Sequence, residues 1–287
     1  MDLRRLRLFL AVVDEGGFTA AAEAVHVAQP AVSLAVRELE TELGAPLLIR
    51  SRRGATLTSA GEALVGPARQ ALRDVENAAA AVAAVTGLVA GRLDLASLPT
   101  LAADPVADLV GRFRRAHPAV SVRLGAPRDL EELADWVRSG TTEVGITEQG
   151  ATNRSLVEVR IGEQELFAIS PPGGPSSPLR LDRLASLPLV LSPAGSSLRD
   201  VVDTALAAAG VRPDVAVEAA QRDALIPLVL AGAGTTFLPG TLARAARQLG
   251  ATMRPTTPRL RRTIVIVHRQ DQLGPAAQRF LDLARQT

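Results

Sequence analysis

Three side chains that can hydrogen bond to the edges of bases recur at intervals of four residues: Gln29, Ser33 and Arg37. On an α-helix this spacing places all three on one face. Glutamine can pair with adenine through two hydrogen bonds, arginine with guanine or with a phosphate, and serine with either. A group of cations suited to phosphates or to a narrow minor groove follows at Arg50, Arg52 and Arg53. The chemistry open to these residues is contact with double-stranded DNA.

The pattern around these residues predicts the elements that would carry them. Apolar residues at helical spacing between residues 3 and 13 predict a first helix, and a short alanine-rich helix begins at residue 18. A third helix begins at residues 29–30, where a proline in the first turn forfeits no hydrogen bond, and ends at Gly44. Its buried face is predicted to be Val32, Val36, Leu39 and Leu43.

Residues 18–37 therefore predict a helix-turn-helix, and two extended stretches around Gly54 predict a hairpin wing that completes a domain over residues 1–58. Each feature alone is also typical of the solvated edge of an ordinary helical bundle. Their combination and spacing favour DNA binding.

Composition excludes several other kinds of chemistry. All 32 basic residues are arginine, which excludes lysine-dependent phosphate loops and Schiff bases, and the absence of cysteine excludes disulfides and thiolate metal sites. The histidines lie far apart in the sequence, and no metalloprotease or nucleophile-elbow motif occurs. We therefore predict no catalytic residues, no metal site and no cofactor. The formal net charge is only +2, so nucleic-acid binding would depend on where the arginines lie.

Residues 59–89 predict one long helix that links two domains. Small and β-branched apolar residues recur at alternating spacings of four and three, which is typical of a two-stranded coiled-coil seam. The seam residues are Leu64, Ala68, Ala71, Val75, Ala78, Val82, Val85 and Val89. The alternative is a helix packed on its own domain. Pro67 is expected to kink the helix or to restart it after Ala63.

The N-terminal motifs resemble those of a known family. Residues 18–33 (FTAAAEAVHVAQPAVS), continued at 38–40, 43–44 and 57–62 (LTSAGE), resemble the DNA-binding segment of LysR-type transcriptional regulators. The resemblance implies that the third helix lies in the major groove, with Gln29, Ser33 and Arg37 on the bases and the three wing arginines on the DNA. We assign Thr19 and Pro30 to the same interface. Ala28 departs from the serine usual in the family, which removes a hydroxyl that could cap the third helix.

From residue 91 onward, the sequence pattern is typical of alternating strands and helices. Strands are predicted at 92–96, 120–124, 143–147, 166–170, 189–191, 215–218, 235–238 and 263–268, and helices at 104–116, 130–138, 198–209, 223–231, 242–249 and 275–285. This alternation predicts an α/β domain with mostly parallel sheet. Two sets of elements suggest two lobes, with lobe I about 91–161 and 268–287 and lobe II about 162–267. The family resemblance implies that they form a two-lobed effector domain like a type 2 periplasmic binding protein.

Small ligands in such α/β lobes bind at the carboxyl ends of strands, near helix N-termini that attract anions. Hydroxyl-bearing residues at these places, with one aromatic residue, are the candidate effector contacts: Ser97, Thr100, Thr147, Ser192, Ser196, Ser197, Thr236 and Phe237. Taken alone, Ser197 is more typical of a plain helix cap, a role that is compatible with ligand contact. The absence of tyrosine and the single tryptophan argue against an aromatic cage around the ligand.

The resulting hypothesis is a regulator that binds double-stranded DNA, a small effector of which an anion is one candidate, and other copies of itself as a dimer or a tetramer. RNA polymerase would be a further partner if it activates transcription. A chain of 287 residues without an apolar run of membrane-spanning length or a signal-peptide pattern is expected to be cytoplasmic, with no membrane partner. The alternative is a ligand-binding or enzymatic α/β protein whose N-terminal helices only dimerise.

Overall fold

The N-terminal domain contains three helices and a β-hairpin. The computed structural model describes residues 1–51, 54–85, 90–150, 155–270 and 273–286. The elements of this domain are α1 (Leu3–Glu15), α2 (Phe18–Ala24), α3 (Gln29–Leu43), β1 (Leu48–Ser51) and β2 (Gly54–Leu57). The Asp2 carboxylate caps α1 by accepting from the Arg4 amide at 3.0 Å, and Gly16 and Gly44 end α1 and α3 with φ of 69°.

The core of this domain is formed by buried residues of α1, α2 and α3 together with Leu47 and Leu48 at the start of the hairpin. Phe9, Val32, Val36 and Leu39 are fully buried there. The buried face of α3 is therefore as predicted, except at its last turn. Leu43 is 42% exposed because the helix projects beyond the core at that end.

Helix α4 (Ser59–Val85) is continuous through Pro67, so the predicted restart after Ala63 is wrong. The Thr58 hydroxyl caps the helix by accepting from the Gly61 amide at 3.0 Å. Pro67 is the ninth residue of α4, so it has no amide hydrogen to donate to the Ala63 carbonyl, and the helix continues despite the loss of this one hydrogen bond. Gly61 lets α4 begin against the Leu47 carbonyl, where a Cβ atom would clash.

In its described residues, the C-terminal domain is built from alternating strands and helices around three sheets. Its strands are β3 (Gly91–Ser97), β4 (Val120–Gly125), β5 (Val144–Glu148), β6 (Val157–Ser170), β7 (Leu179–Arg180), β8 (Pro188–Leu191), β9 (Asp214–Glu218), β10 (Thr236–Pro239), β11 (Thr252–Arg254), β12 (Thr256–Thr257) and β13 (Leu260–His268). Its α-helices are α5 (Pro99–Leu101), α6 (Ala107–Ala116), α7 (Leu130–Arg138), α8 (Ser197–Ala208), α9 (Leu225–Leu230), α10 (Gly240–Gln248) and α11 (Pro275–Ala284). A π-helical segment at Ala102–Val106, in which Asp104 has extended φ and ψ angles, lies between α5 and α6, so α6 begins at Ala107 and not at residue 104 as predicted.

The two lobes share one pair of long antiparallel strands. The largest sheet has the order β10-β6-β13-β5-β3-β4, with β11 also paired to β6. One end of the β6–β13 pair lies in the core of the first lobe, with β3, β5, α6, α7 and α11, and the other end lies in the core of the second lobe. The pairing slips between Ile264 and Val265, which face Gly162 and Arg160, so Ile161 is an extra residue in β6. This bulge lies where the chain passes from one lobe to the other.

Candidate nucleic-acid interface and interlobe cleft

The exposed face of α3 carries a mixture of polar and apolar side chains. Pro30, Leu34, Arg37 and Thr41 are exposed and follow one another at spacings of four, three and four. The Arg37 guanidinium makes no ion pair with any carboxylate in the described part of the chain. It is therefore free to meet a phosphate or a guanine.

Ser33 has a different place from the one predicted. Its side chain is buried, with the residue only 6% exposed, and its hydroxyl accepts from the Gln29 amide group at 2.9 Å and from Arg50 at 3.5 Å. A direct base contact is not open to a hydroxyl in this position. Ser33 instead holds the Gln29 side chain at the start of α3 and connects the helix to the hairpin.

Arg50 is held at the junction of the hairpin and α2. Its guanidinium lies 4.0 Å from the centre of the Phe18 ring, an arrangement that favours a cation. Thr19, the next residue along α2, is exposed. Arg52 and Arg53 lie outside the described residues.

Leu34 is a candidate contact that the sequence reasoning missed. It is 57% exposed on the same face as Arg37. An apolar side chain on the outer face of a helix could have been recognised as a partner for the methyl group of thymine. The set of base contacts predicted on α3 included only residues that can hydrogen bond.

The predicted seam of α4 divides into two parts. Ala68 is 1% exposed, and Leu64 and Ala71 pack with it on the core of the N-terminal domain, which is the alternative arrangement that the sequence left open. Val75 and Val82 are 45% and 72% exposed. Ala78 is also exposed, whereas the Val85 side chain and Val89 lie outside what the structure describes. The described part of α4 that is open to a partner helix therefore begins near Val75.

The linker helix is also attached to the first lobe. Arg73 donates to the Gly140 carbonyl, and Arg269 donates both to Gln70 of α4 and, at 3.0 Å, to the Val137 carbonyl. Burial, with repulsion from Arg269, lowers the pKa of Arg73 to about 10. These hydrogen bonds connect α4 to the first lobe, so a movement of that lobe would also displace the helix.

Arg262 of β13 occupies the centre of the space between the lobes, and its side chain is only 2% exposed. It donates to Gln164 on the neighbouring strand at 2.6 and 2.8 Å, to Ser197 of the second lobe at 3.1 Å and to Thr100 of the first lobe at 3.4 Å. Glu148, at the end of β5, lies 4.0 Å from the same guanidinium. One buried cation thus connects both lobes.

Burial sets the electrostatics of this cluster. It lowers the pKa of Arg262 to about 10 and raises the pKa of Glu148, while the attraction between the two groups opposes both shifts. A second arginine that the sequence reasoning missed, Arg222, adds positive charge nearby. Its pKa is lowered by burial, and its Nη1 atom is buried without a hydrogen-bond partner among the described residues. The cleft is therefore suited to an anion.

The predicted effector contacts fall into three groups. Thr100 and Ser197 meet at Arg262, as described above. Three further hydroxyl oxygens are buried and have no partner in the described part of the chain, those of Thr147, Ser192 and Ser196. The other three are turned inward: Ser97 donates to the Leu98 carbonyl at 3.0 Å, Thr236 is 1% exposed, and Phe237 belongs to the core of the second lobe. A ligand contact is not open to the Phe237 ring without disruption of that core.

A cavity of about 490 Å³ opens beside this cluster and could hold a small molecule. Part of its wall is formed by Glu148, Ser197, Asp200 and Arg261.

None of the helices in the described ranges is long and apolar enough to cross a bilayer.

Comparisons with known proteins agree with this architecture. The model described as "Bacterial regulatory helix-turn-helix protein, lysR family" matches residues 3–62, and "LysR substrate binding domain" matches residues 86–287. The HTH-type transcriptional regulator TfdS of Cupriavidus pinatubonensis is 30% identical over 99% of this chain and 98% of its own. IlvR of Caulobacter vibrioides, also an HTH-type transcriptional regulator, is 33% identical over 99% and 97%. Full-length CbnR in complex with its target DNA superimposes with a TM-score of 0.71 at 26% identity, covering 100% of this chain and 99% of that one.

A winged helix-turn-helix joined by a long helix to a two-lobed α/β domain defines a DNA-binding regulator with an effector-binding domain. The chain belongs to the LysR family of transcriptional regulators.

Proposed function

We propose that this regulator binds its operator through α3, with Arg37, Leu34 and Gln29 on the bases. Arg50, Arg52 and Arg53 would contact the backbone or the minor groove, with Thr19 and Pro30 beside them. The observation that carries this proposal is the exposed face of α3, where an unpaired guanidinium lies next to an apolar side chain. Ser33 would act by orienting Gln29.

The protein would bind DNA as a homodimer, and two dimers would form a tetramer. A single helix-turn-helix contacts few bases, so two copies related by a two-fold axis suit an operator with two half-sites. The exposed Val75, Ala78 and Val82 on α4 support pairing of this helix with its copy. A chain whose partner is chromosomal DNA would act in the cytoplasm, and it would contact RNA polymerase if it is an activator.

The effector would be a small organic anion bound between the lobes. The arginines Arg222 and Arg262 supply positive charge there, and the hydroxyls of Thr147, Ser192 and Ser196 supply unused hydrogen-bonding groups. Such buried polar atoms cost free energy until they are satisfied. A ligand that satisfies them in one arrangement of the lobes stabilises that arrangement.

The effector signal would pass through the linker helix. The first lobe is hydrogen bonded to α4 through Arg73 and Arg269, and α4 carries the DNA-binding domain. A shift in the population of lobe arrangements would change how the two DNA-binding domains of a dimer are spaced on the operator. In this mechanism the cleft binds a ligand without converting it, so the protein is a regulator and not an enzyme.

DNA binding is tested by fluorescence anisotropy against the sequence immediately upstream of the gene, with a scrambled duplex at the same salt concentration. We expect sequence-dependent binding that Arg37→Ala weakens by about 1–3 kcal/mol, and an Arg50→Gln variant with a smaller salt dependence. Arg180→Ala, at an exposed site in the second lobe, is the control. Equal binding of both duplexes, confirmed by failure to enrich any sequence from a random DNA pool, would favour the alternative in which the N-terminal helices only dimerise.

A further inference from the structure

Arg254, at the end of β11, is buried without a counter-charge. The residue is 5% exposed, and among the described residues its side chain makes one hydrogen bond, from Nη2 to the Ser170 hydroxyl at 3.2 Å. Its Nε atom is buried and has no partner within the described ranges. None of the described carboxylates lies within ion-pair distance of it. By contrast, Arg199, whose side chain is 11% exposed, pairs with Asp203 at 2.9 Å.

This arrangement is costly for the protein alone. A buried guanidinium loses its hydration, and only an opposite charge or several acceptors can compensate for that loss. Burial lowers the pKa of Arg254, which is the expected sign of an uncompensated cation. Arginine nevertheless stays charged at neutral pH, so the positive charge is retained in the fold.

A cavity of about 390 Å³ lies against this side chain. Arg254 and the hydroxyls of Ser170 and Thr235, which are 3.0 Å apart, form its polar part. Most of the remaining wall is apolar and includes Pro171, Leu187 and Pro188. The cavity lies at the amino end of β8, whereas Ser192 and the interlobe cleft follow the carboxyl end of the same strand.

We propose that this cavity is a second ligand site, specific for a small organic carboxylate. The carboxylate would pair with Arg254, because a guanidinium and a carboxylate match in both charge and geometry, and would accept a hydrogen bond from whichever of the two hydroxyls does not donate within the Ser170–Thr235 pair. The apolar part of the ligand would pack against the prolines and Leu187. Occupation of the site would stabilise the second lobe by mass action, independently of any effector between the lobes.

The test uses the full-length protein and a series of three monocarboxylates: acetate, hexanoate and cyclohexanecarboxylate. Cyclohexanecarboxamide and inorganic phosphate are the neutral and the purely ionic comparisons. Binding is measured by saturation-transfer NMR and by the shift in melting temperature. We expect cyclohexanecarboxylate to bind at roughly millimolar concentration, as suits a ligand of about nine non-hydrogen atoms, and the amide to bind at least about tenfold more weakly.

Two variants separate this site from the interlobe cleft. Arg254→Met removes the charge and keeps the apolar stem, so the ligand-free protein should melt at the same temperature or higher, while carboxylate binding falls at least about tenfold. Arg222→Gln, in the cleft, should leave the Arg254-dependent binding unchanged.

Four results would overturn the proposal. The first is no binding by any of the three carboxylates, and the second is binding that is the same in Arg254→Met as in the unmodified protein. The third is phosphate binding as tight as that of cyclohexanecarboxylate, since a bare oxyanion site would not need the apolar wall. A lower melting temperature of ligand-free Arg254→Met would show that Arg254 supports the fold itself, and it would also contradict the proposal.

Discussion

Removal of the Arg262 guanidinium should destabilise the C-terminal domain, because the Glu148 carboxylate loses its counter-charge. In Arg262→Met, Glu148 has no cation within ion-pair distance in the described part of the chain, and Gln164 and Ser197 lose a donor. Breaking a buried ion pair from one side typically costs about 3–5 kcal/mol. We expect the change in the free energy of unfolding to lie in this range.

The coupling between the two charges can be worked out from their separation. At the 4.0 Å between Arg262 Nη1 and Glu148 Oε1, an effective dielectric constant of about 20 gives an attraction of roughly 4 kcal/mol. The Glu148 side chain keeps 14% of its exposure, so solvent screens part of this attraction. The double variant Arg262→Met/Glu148→Gln should therefore recover about 2 kcal/mol relative to the sum of the single variants.

The assay is urea unfolding at one fixed protein concentration, because association with other copies changes the apparent stability. Trp136 is the only tryptophan, and it packs on the core of the first lobe, so its fluorescence reports unfolding of that lobe. The exposed pair Arg180 and Asp182 is the control, and the same double-variant cycle there should show no measurable coupling. A coupling below about 0.5 kcal/mol between Arg262 and Glu148 would refute the reasoning.

Three further results are expected. Val82→Asp should shift the protein toward monomers in analytical ultracentrifugation, because it places a charge in the proposed α4 seam, whereas Leu249→Asp at a similarly exposed site should not. Glu40→Ala should lower the stability of the N-terminal domain by about 1–3 kcal/mol in thermal unfolding, because the Leu47 and Leu48 amides lose their acceptor; unchanged stability would contradict this. Burial raises the pKa of Glu148, so the folded protein binds the proton of this carboxyl more tightly than the unfolded chain does. The free energy of unfolding should therefore fall as the pH rises from the ordinary glutamate pKa through the raised value. Glu148→Gln should reduce this fall.

The elements of the N-terminal domain could be predicted closely because their signals are local. Helical periodicity, the proline in the first turn of α3 and the glycines that end α1 and α3 all act within a few residues of where they stand. The burial of Ser33 could not be predicted in this way, because it depends on Arg50, which is 17 residues away and arrives through the hairpin.

The long strands β6 and β13 were predicted only in part. In β6 the residues from 157 to 161 alternate between apolar and charged, but Gly162 and the polar residues 163–165 interrupt this pattern before the apolar run from Leu166. Pairing with β13 and the bulge at Ile161 extend the strand across both lobes, and such pairing is not encoded in the period of either segment.

The sequence by itself determined the class of protein, since a helix-turn-helix, a wing and a long linker helix are each local patterns with a known spacing. Only the tertiary structure identified Arg262 as the centre of the interlobe cluster and Arg254 as an uncompensated cation. In the sequence both lie in an ordinary run of arginines, prolines and threonines between residues 252 and 262. Their roles arise from burial and from partners contributed by distant strands and helices, and burial decides what a charge costs and what it can bind.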